Sequence, residues 1–263
     1  METHKIIIAF IVTIIAGLAT GIGSLIAIIA KRTNKAFLCF SLGLSAGVMI
    51  YVSFMEMIPT AKQQLTDFFD NNTGQLYLVL AFFAGIALIS LIDFIVPESG
   101  NPHELHGVED MDQQDTLHRI GLVVAISLAI HNFPEGIATF AAALGNLDIA
   151  IPIAVAIAIH NIPEGIAVAV PIYHATGNKK YAFWASFMSG LAEPLGATIA
   201  FAFLMPYWNP LINSIVLAMV SGIMVFISID ELLPSAQKYG QHHVAIIGVI
   251  AGMAIMALSL FLL

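Results

Sequence analysis

Apolar residues in this chain do not alternate with polar ones. They run on for twenty or more positions at a time, and short polar clusters separate the runs. A helix needs about 20 predominantly apolar residues to cross the hydrocarbon core of a bilayer. Eight runs meet that length, at 6–30, 36–59, 76–96, 120–144, 149–172, 181–205, 211–233 and 244–263. Each predicts a transmembrane helix, because a helix satisfies its own backbone hydrogen bonds where no water is present. The expected fold is an all-α polytopic membrane protein, a single transmembrane domain over residues 1–263. The first run follows Lys5 as a secretory leader would. It is too long for one and lacks a small-residue cleavage site, so it reads as a retained helix.

Composition agrees and removes other classes. Of 263 residues, 59% are hydrophobic and 10% charged, against about a quarter charged in a soluble domain. Cys39 is the single cysteine, which excludes an internal disulfide framework and any CxxC site. Nine bases with no basic stripe exclude a nucleic-acid role. The expected surroundings are a lipid bilayer.

The positions of the bases set an orientation. Lys31, Arg32, Lys35, Arg119, Lys179, Lys180 and Lys238 all fall at connections on one side, and Lys5 and Lys62 on the other. Lys and Arg accumulate on the cytoplasmic side, so both termini are expected to be extracytoplasmic. The longest connection, 97–119, is then cytoplasmic. It carries Glu98, Glu104, Glu109, Asp110, Asp112, Asp115 and His103, His106 and His118. It reads as a solvated loop, with loose gathering of divalent cations as its alternative. His242 and His243 take the same two readings.

No Lys or Arg falls inside any run, yet Glu56, Asp93, Glu135, Glu164, Glu193, Asp230 and Glu231 do. A central acid opposes insertion by roughly 2.5–3.5 kcal/mol. Asp93, Asp230 and Glu231 lie near the cytoplasmic end and can reach the headgroups. Glu56, near the outer end just before Pro59, is an interface anchor or an entrance ligand. Glu135, Glu164 and Glu193 are deep. Protonation, a water-filled cavity or a bound cation must offset their cost.

The deep acids belong to a repeat. HNFPEGIA at 131–138 and HNIPEGIA at 160–167 are two copies of one motif. On a helix, His and Glu at i,i+4 and Asn and Glu at i,i+3 share one face. The two runs are antiparallel and joined by a short connection at 145–148. At 1.5 Å per residue, Glu135 should be level with His160 and Glu164 with His131, near the midplane. Pro134 and Pro163 free the carbonyls of Ile130 and Ile159, and Gly136 and Gly165 remove bulk after each Glu. SGLAEPLGA at 189–197 brings Glu193 and Pro194 to similar depth. Two His, two Asn and three Glu suit a divalent transition metal, because imidazole suits Zn, Fe and Ni, carboxylate suits Mn, and thiolate is absent. His131, Glu135, His160 and Glu164 form one ligand set; Asn132, Asn161 and Glu193 complete a second, with Glu135 and Glu164 bridging.

Gly17 and Gly21, Gly43 and Gly47, and Gly248 and Gly252 are GxxxG pairs that bring helices together within one chain or in a dimer.

The two HNxPEG copies, the glutamate of the sixth run, eight spans with outside termini, a histidine-bearing third connection and the stretches FMEMIP and SIDELLP at 54–59 and 228–234 resemble the ZIP family of divalent metal transporters. The likeness is to its bacterial ZupT-like branch. The resemblance implies a ZIP-like bundle with kinked helices four and five at its centre, a homodimer, and no enzyme activity or resident cofactor. It implies import of Zn(II), with tolerance for Fe(II), Mn(II) and Co(II), across the bacterial inner membrane. It also implies a first metal site of Glu135, His160, Glu164 and His131, and a second of Asn132, Glu135, Asn161, Glu164 and Glu193. Two rival readings use the same acids: a proton-coupled carrier of another small cation, and an intramembrane zinc hydrolase, although HExxH is absent.

Overall fold

The computed structural model of the chain describes residues 3–29, 35–95, 129–130, 132–144, 147–238 and 241–262. His131, the connection 97–119 and the start of the fourth run lie outside the described residues. All regular structure among the described residues is helical, and six helices are long and apolar enough to cross a membrane.

The chain opens with α1 (Thr3–Ile29). α2 (Lys35–Val52) passes through a π turn at Ser53–Met57 into α3 (Ile58–Phe68). α4 (Asn71–Ile95) follows, then α5 (132–144) and α6 (Leu147–Thr176). The sixth apolar run divides into α7 (Lys179–Gly190) and α8 (Ala192–Ile199). α9 (Pro210–Ile227), α10 (Leu233–Lys238) and α11 (His242–Leu262) complete the chain.

Proline explains the irregular places. Three π turns, Ser53–Met57, Ala200–Leu204 and Ser228–Leu232, each stand two residues before a proline, Pro59, Pro206 and Pro234. In each, the residue just ahead of the proline donates its N–H to the carbonyl five residues back: Ile58 to Ser53, Met205 to Ala200 and Leu233 to Ser228. The wide turn makes room for a ring that would otherwise clash with the carbonyl four residues back. The second span therefore continues past Pro59 to Phe68, where the hydropathy pattern predicts its end at 59. Around Pro194 the helix breaks at Leu191, whose N–H is shared by the carbonyls of Phe187 and Met188. Between α6 and α7 the turn needs left-handed backbone, supplied by Gly177 at φ 63°. Asn178 then caps α7 by accepting from the Tyr181 amide at 3.1 Å.

Glycines sort the helices into two groups. α2 and α11 meet along Gly43, Gly47, Gly248 and Gly252, so two of the GxxxG pairs hold helices of one chain together. A Cβ on Gly47 would stand 2.1 Å from the carbonyl oxygen of Val249. α4 and α9 meet through Gly85 and Gly222 in the same manner. In the other group Gly17 of α1 lies against Gly190 of α7, Gly23 of α1 against α6, and Gly136 and Gly196 join α5 to α8. One bundle thus holds α2, α3, α4, α9, α10 and α11, and the other α1, α5, α6, α7 and α8. Among the described residues, the contact between them includes the packing of α2 on α6. Every one of these glycine approaches lies inside a bundle.

Candidate metal centre

The centre sits where α5 and α6 cross. Asn132 and Glu135, three apart on α5, share a face; on α6, His160 and Glu164 share one, with Asn161 beside them. His160 Nε2 lies 3.1 Å from both carboxylate oxygens of Glu135. The antiparallel register read from the sequence puts these two residues at one level. One ligand atom from each of Glu135, His160 and Glu164 lies within 4.8 Å of the other two. All three side chains are buried.

Glu193, at the start of α8, is buried and accepts from Asn161 Nδ2. That amide also donates to the carbonyl of Ala16 on α1 at 3.0 Å. Asn132 Nδ2 donates to the carbonyl of Ser189 at 3.2 Å. Both amides are thus oriented by their N–H groups, and Asn132 Oδ1 and Asn161 Oδ1 have no hydrogen-bond partner among the described residues. Buried amide oxygens of this kind are available to a ligand.

The glycines of the two motifs set the spacing. A Cβ on Gly136 would lie 2.0 Å from the Glu193 carbonyl oxygen, and one on Gly165 2.1 Å from that of Thr20. Only a residue without a side chain lets α5 reach α8, and α6 reach α1, at the depth of the carboxylates. The bulk that Gly136 and Gly165 remove after each Glu is therefore taken up by close helix approach and leaves no open space beside the carboxylates.

One neighbour was not singled out from the sequence. Ser45 of α2 donates to Glu164 Oε1 at 3.5 Å, so the other bundle also touches the centre. A lone serine in an apolar run carries no signal of that kind. Glu56 is partly exposed on the first π turn and is not among the clustered groups, and Asp230 and Glu231 lie on the third π turn.

A buried set of carboxylate, imidazole and amide oxygen is the donor chemistry of a borderline or hard divalent ion. A family profile described as ZIP zinc transporter matches residues 96–260, more than half of the chain. The chain belongs to the ZIP zinc-transporter family. As a ZIP chain it is a multi-pass membrane protein of a transporter family, which removes the hydrolase reading. The zinc transporter ZupT of Streptococcus mutans is 60% identical over 255 residues, 97% of each chain. That of Clostridium perfringens is 54% identical over 276 residues, covering 98% of this chain and 97% of its own. That of Oceanobacillus iheyensis is 57% identical over 265 residues, covering 98% and 99%. The ZIP match takes in α5 to α10 and nearly all of α11, and so Asn132, Glu135, His160, Asn161, Glu164 and Glu193; the full-length relatives extend the likeness through α1 to α4, which include Ser45.

Proposed function

We propose that this chain imports Zn(II), and with lower discrimination Fe(II), Mn(II) and Co(II), across the inner membrane of a bacterium. The reading carries eight spans in a single transmembrane domain over residues 1–263, both termini extracytoplasmic, and assembly as a homodimer. The observation that carries it is the meeting of Glu135, His160 and Glu164 within 4.8 Å in a buried position. The apolar runs contain no Lys or Arg, and an ionised carboxylate is costly there. A divalent cation is the charge that offsets it.

In this reading Glu135, His160 and Glu164, with His131, hold one ion. Asn132 and Asn161 offer their amide oxygens and Glu193 its carboxylate to a second position, with Glu135 and Glu164 shared. Oxygen and imidazole donors bind a divalent ion less tightly than a thiolate cage, which suits a site that must release its cargo.

The division into two bundles supports a rigid-body step. α5 and α6 carry the ligands and are locked to α1, α7 and α8 by glycine contacts, so the ion and its ligands move as one unit. Their boundary with α2 is crossed at the centre by the long hydrogen bond from Ser45 to Glu164, weak enough to be exchanged. Movement of one bundle along the other would expose the ion first to the outer face and then to the cytoplasm.

The test is zinc uptake by cells lacking other importers. Glu135→Ala and Glu164→Ala are expected to abolish it at wild-type membrane abundance, and wild-type uptake by either variant would remove the site assignment.

A further inference from the structure

An apolar groove of about 560 Å³ runs between the two bundles, apart from the metal centre. α4 and α9 form one wall, with Leu88, Met219 and Ile223; α5 and α8 form the other, with Phe133, Ile137 and Leu195. Its size is within the roughly 300–1,000 Å³ of small-ligand sites. All thirteen lining residues are apolar.

Each wall is stiff. Gly85 and Gly222 bring α4 and α9 into backbone contact, and Gly136 and Gly196 do the same for α5 and α8. With both walls fixed by backbone contact, closing a groove of this volume would require the bundles to approach. The groove is therefore filled by something or stays void. Water is a poor occupant, because a buried water needs two to four polar partners and the lining side chains offer none. A void forfeits the dispersion contacts of every residue that faces it.

The groove opens sideways. Leu88 is 43% and Leu195 55% exposed at its rim. Further along the same elements, Leu91 and Phe94 of α4 and Phe203 beyond α8 are exposed as well. In a multi-pass membrane protein such a surface faces hydrocarbon, so the groove is a side branch of the bilayer interior. We propose that it holds an acyl chain of a membrane phospholipid, inserted from the bilayer and seated between the bundles. A lipid tail is as apolar as the leucines it would touch, and it is the one apolar molecule present at high concentration at that rim. This binding does not depend on which ion the chain carries.

Tryptophan quenching in vesicles containing phosphatidylcholine brominated on its chains tests the assignment. The native tryptophans are replaced (Trp184→Phe, Trp208→Phe), and a reporter is placed at the groove by Leu88→Trp or on the exposed face of α11 by Ile250→Trp, at comparable depth. At a low mole fraction of brominated lipid the groove reporter should be quenched several-fold more strongly than the α11 reporter, since a bound chain stays beside it. Equal quenching would overturn the proposal. So would weaker quenching at the groove, the result if a second copy or another segment of the chain covers it. A second measurement needs no reporter. Native mass spectrometry of the otherwise wild-type chain should show a retained phospholipid that is lost on filling the groove by Val220→Phe; retention unchanged by that substitution would equally overturn the assignment.

Discussion

Gly136→Ala is a small change with a large expected effect on the metal centre. The new methyl carbon would lie 2.0 Å from the Glu193 carbonyl oxygen and 2.6 Å from its carbonyl carbon and Cα, where ordinary contact begins at 3.4 Å, a shortfall of about 1.4 Å. Both sides of the clash are helix backbone, so α5 and α8 must separate. Overpacking of this kind costs about 1–3 kcal/mol of stability. The separation also pulls Glu135 on α5 away from Glu193 on α8, and disturbing the support of metal ligands costs on the order of 10- to 100-fold in affinity. Gly47→Ala is the matched control. Its methyl would stand 2.1 Å from the Val249 carbonyl oxygen, a comparable clash, but within the bundle that carries none of the proposed ligands. Calorimetric titration with zinc, paired with thermal unfolding of the purified proteins, separates the two. Both variants should unfold earlier, and only Gly136→Ala should lose zinc affinity. Equal loss of affinity in both, or none in either, would refute the link between α5–α8 spacing and the centre.

Other perturbations reach separate parts of the account. Glu164→Gln keeps the shape of the side chain and removes its charge, so zinc binding should weaken by at least about 10-fold with little change in unfolding temperature; calorimetry checks both. Ser45→Ala removes the hydrogen bond from the Ser45 hydroxyl of α2 to Glu164, and should alter the rate of zinc flux in proteoliposomes more than the equilibrium affinity. At the start of α4, Asp70 accepts from the amides of Asn72 and Thr73 and from the Thr73 hydroxyl. The hydroxyl first, then the amides, hold its carboxyl below the usual carboxylate range. A lowered value stabilises the cap above the unfolded value and loses that support as pH falls through the folded one. Protection of the Asn72–Gln75 amides, measured against their intrinsic exchange rate at each pH, should therefore fall only in acid for the native chain, and be reduced at every pH for Asp70→Ala.

Much of this was legible in the sequence because two periodicities govern it. The bilayer forces apolar runs of a fixed minimum length, and the i,i+3 and i,i+4 spacing within each HNxPEG copy puts its polar groups on one face. The level crossing of Glu135 with His160 followed from counting residues along two antiparallel helices. Some features lay beyond that counting. Hydropathy does not register that a π turn can absorb Pro59, so the second span runs further than its pattern suggests. Nor does it show that the turn before Pro194 breaks, which divides the sixth run in two. GxxxG spacing marks close approach without naming the partner; Gly43 and Gly47 find Gly248 and Gly252 only once the chain is folded. Ser45 reaches Glu164 through the packing of α2 on α6, a long-range contact with no local signature.

Flux of radioactive zinc into proteoliposomes holding the purified chain tests the central claim most directly, with Glu135→Gln and Glu164→Gln at equal incorporation as its comparison. Saturable zinc entry, reduced by competing manganese, cobalt or iron and lost in both variants, is the predicted result. Absence of flux in the native protein, or flux that persists in the variants, would contradict it.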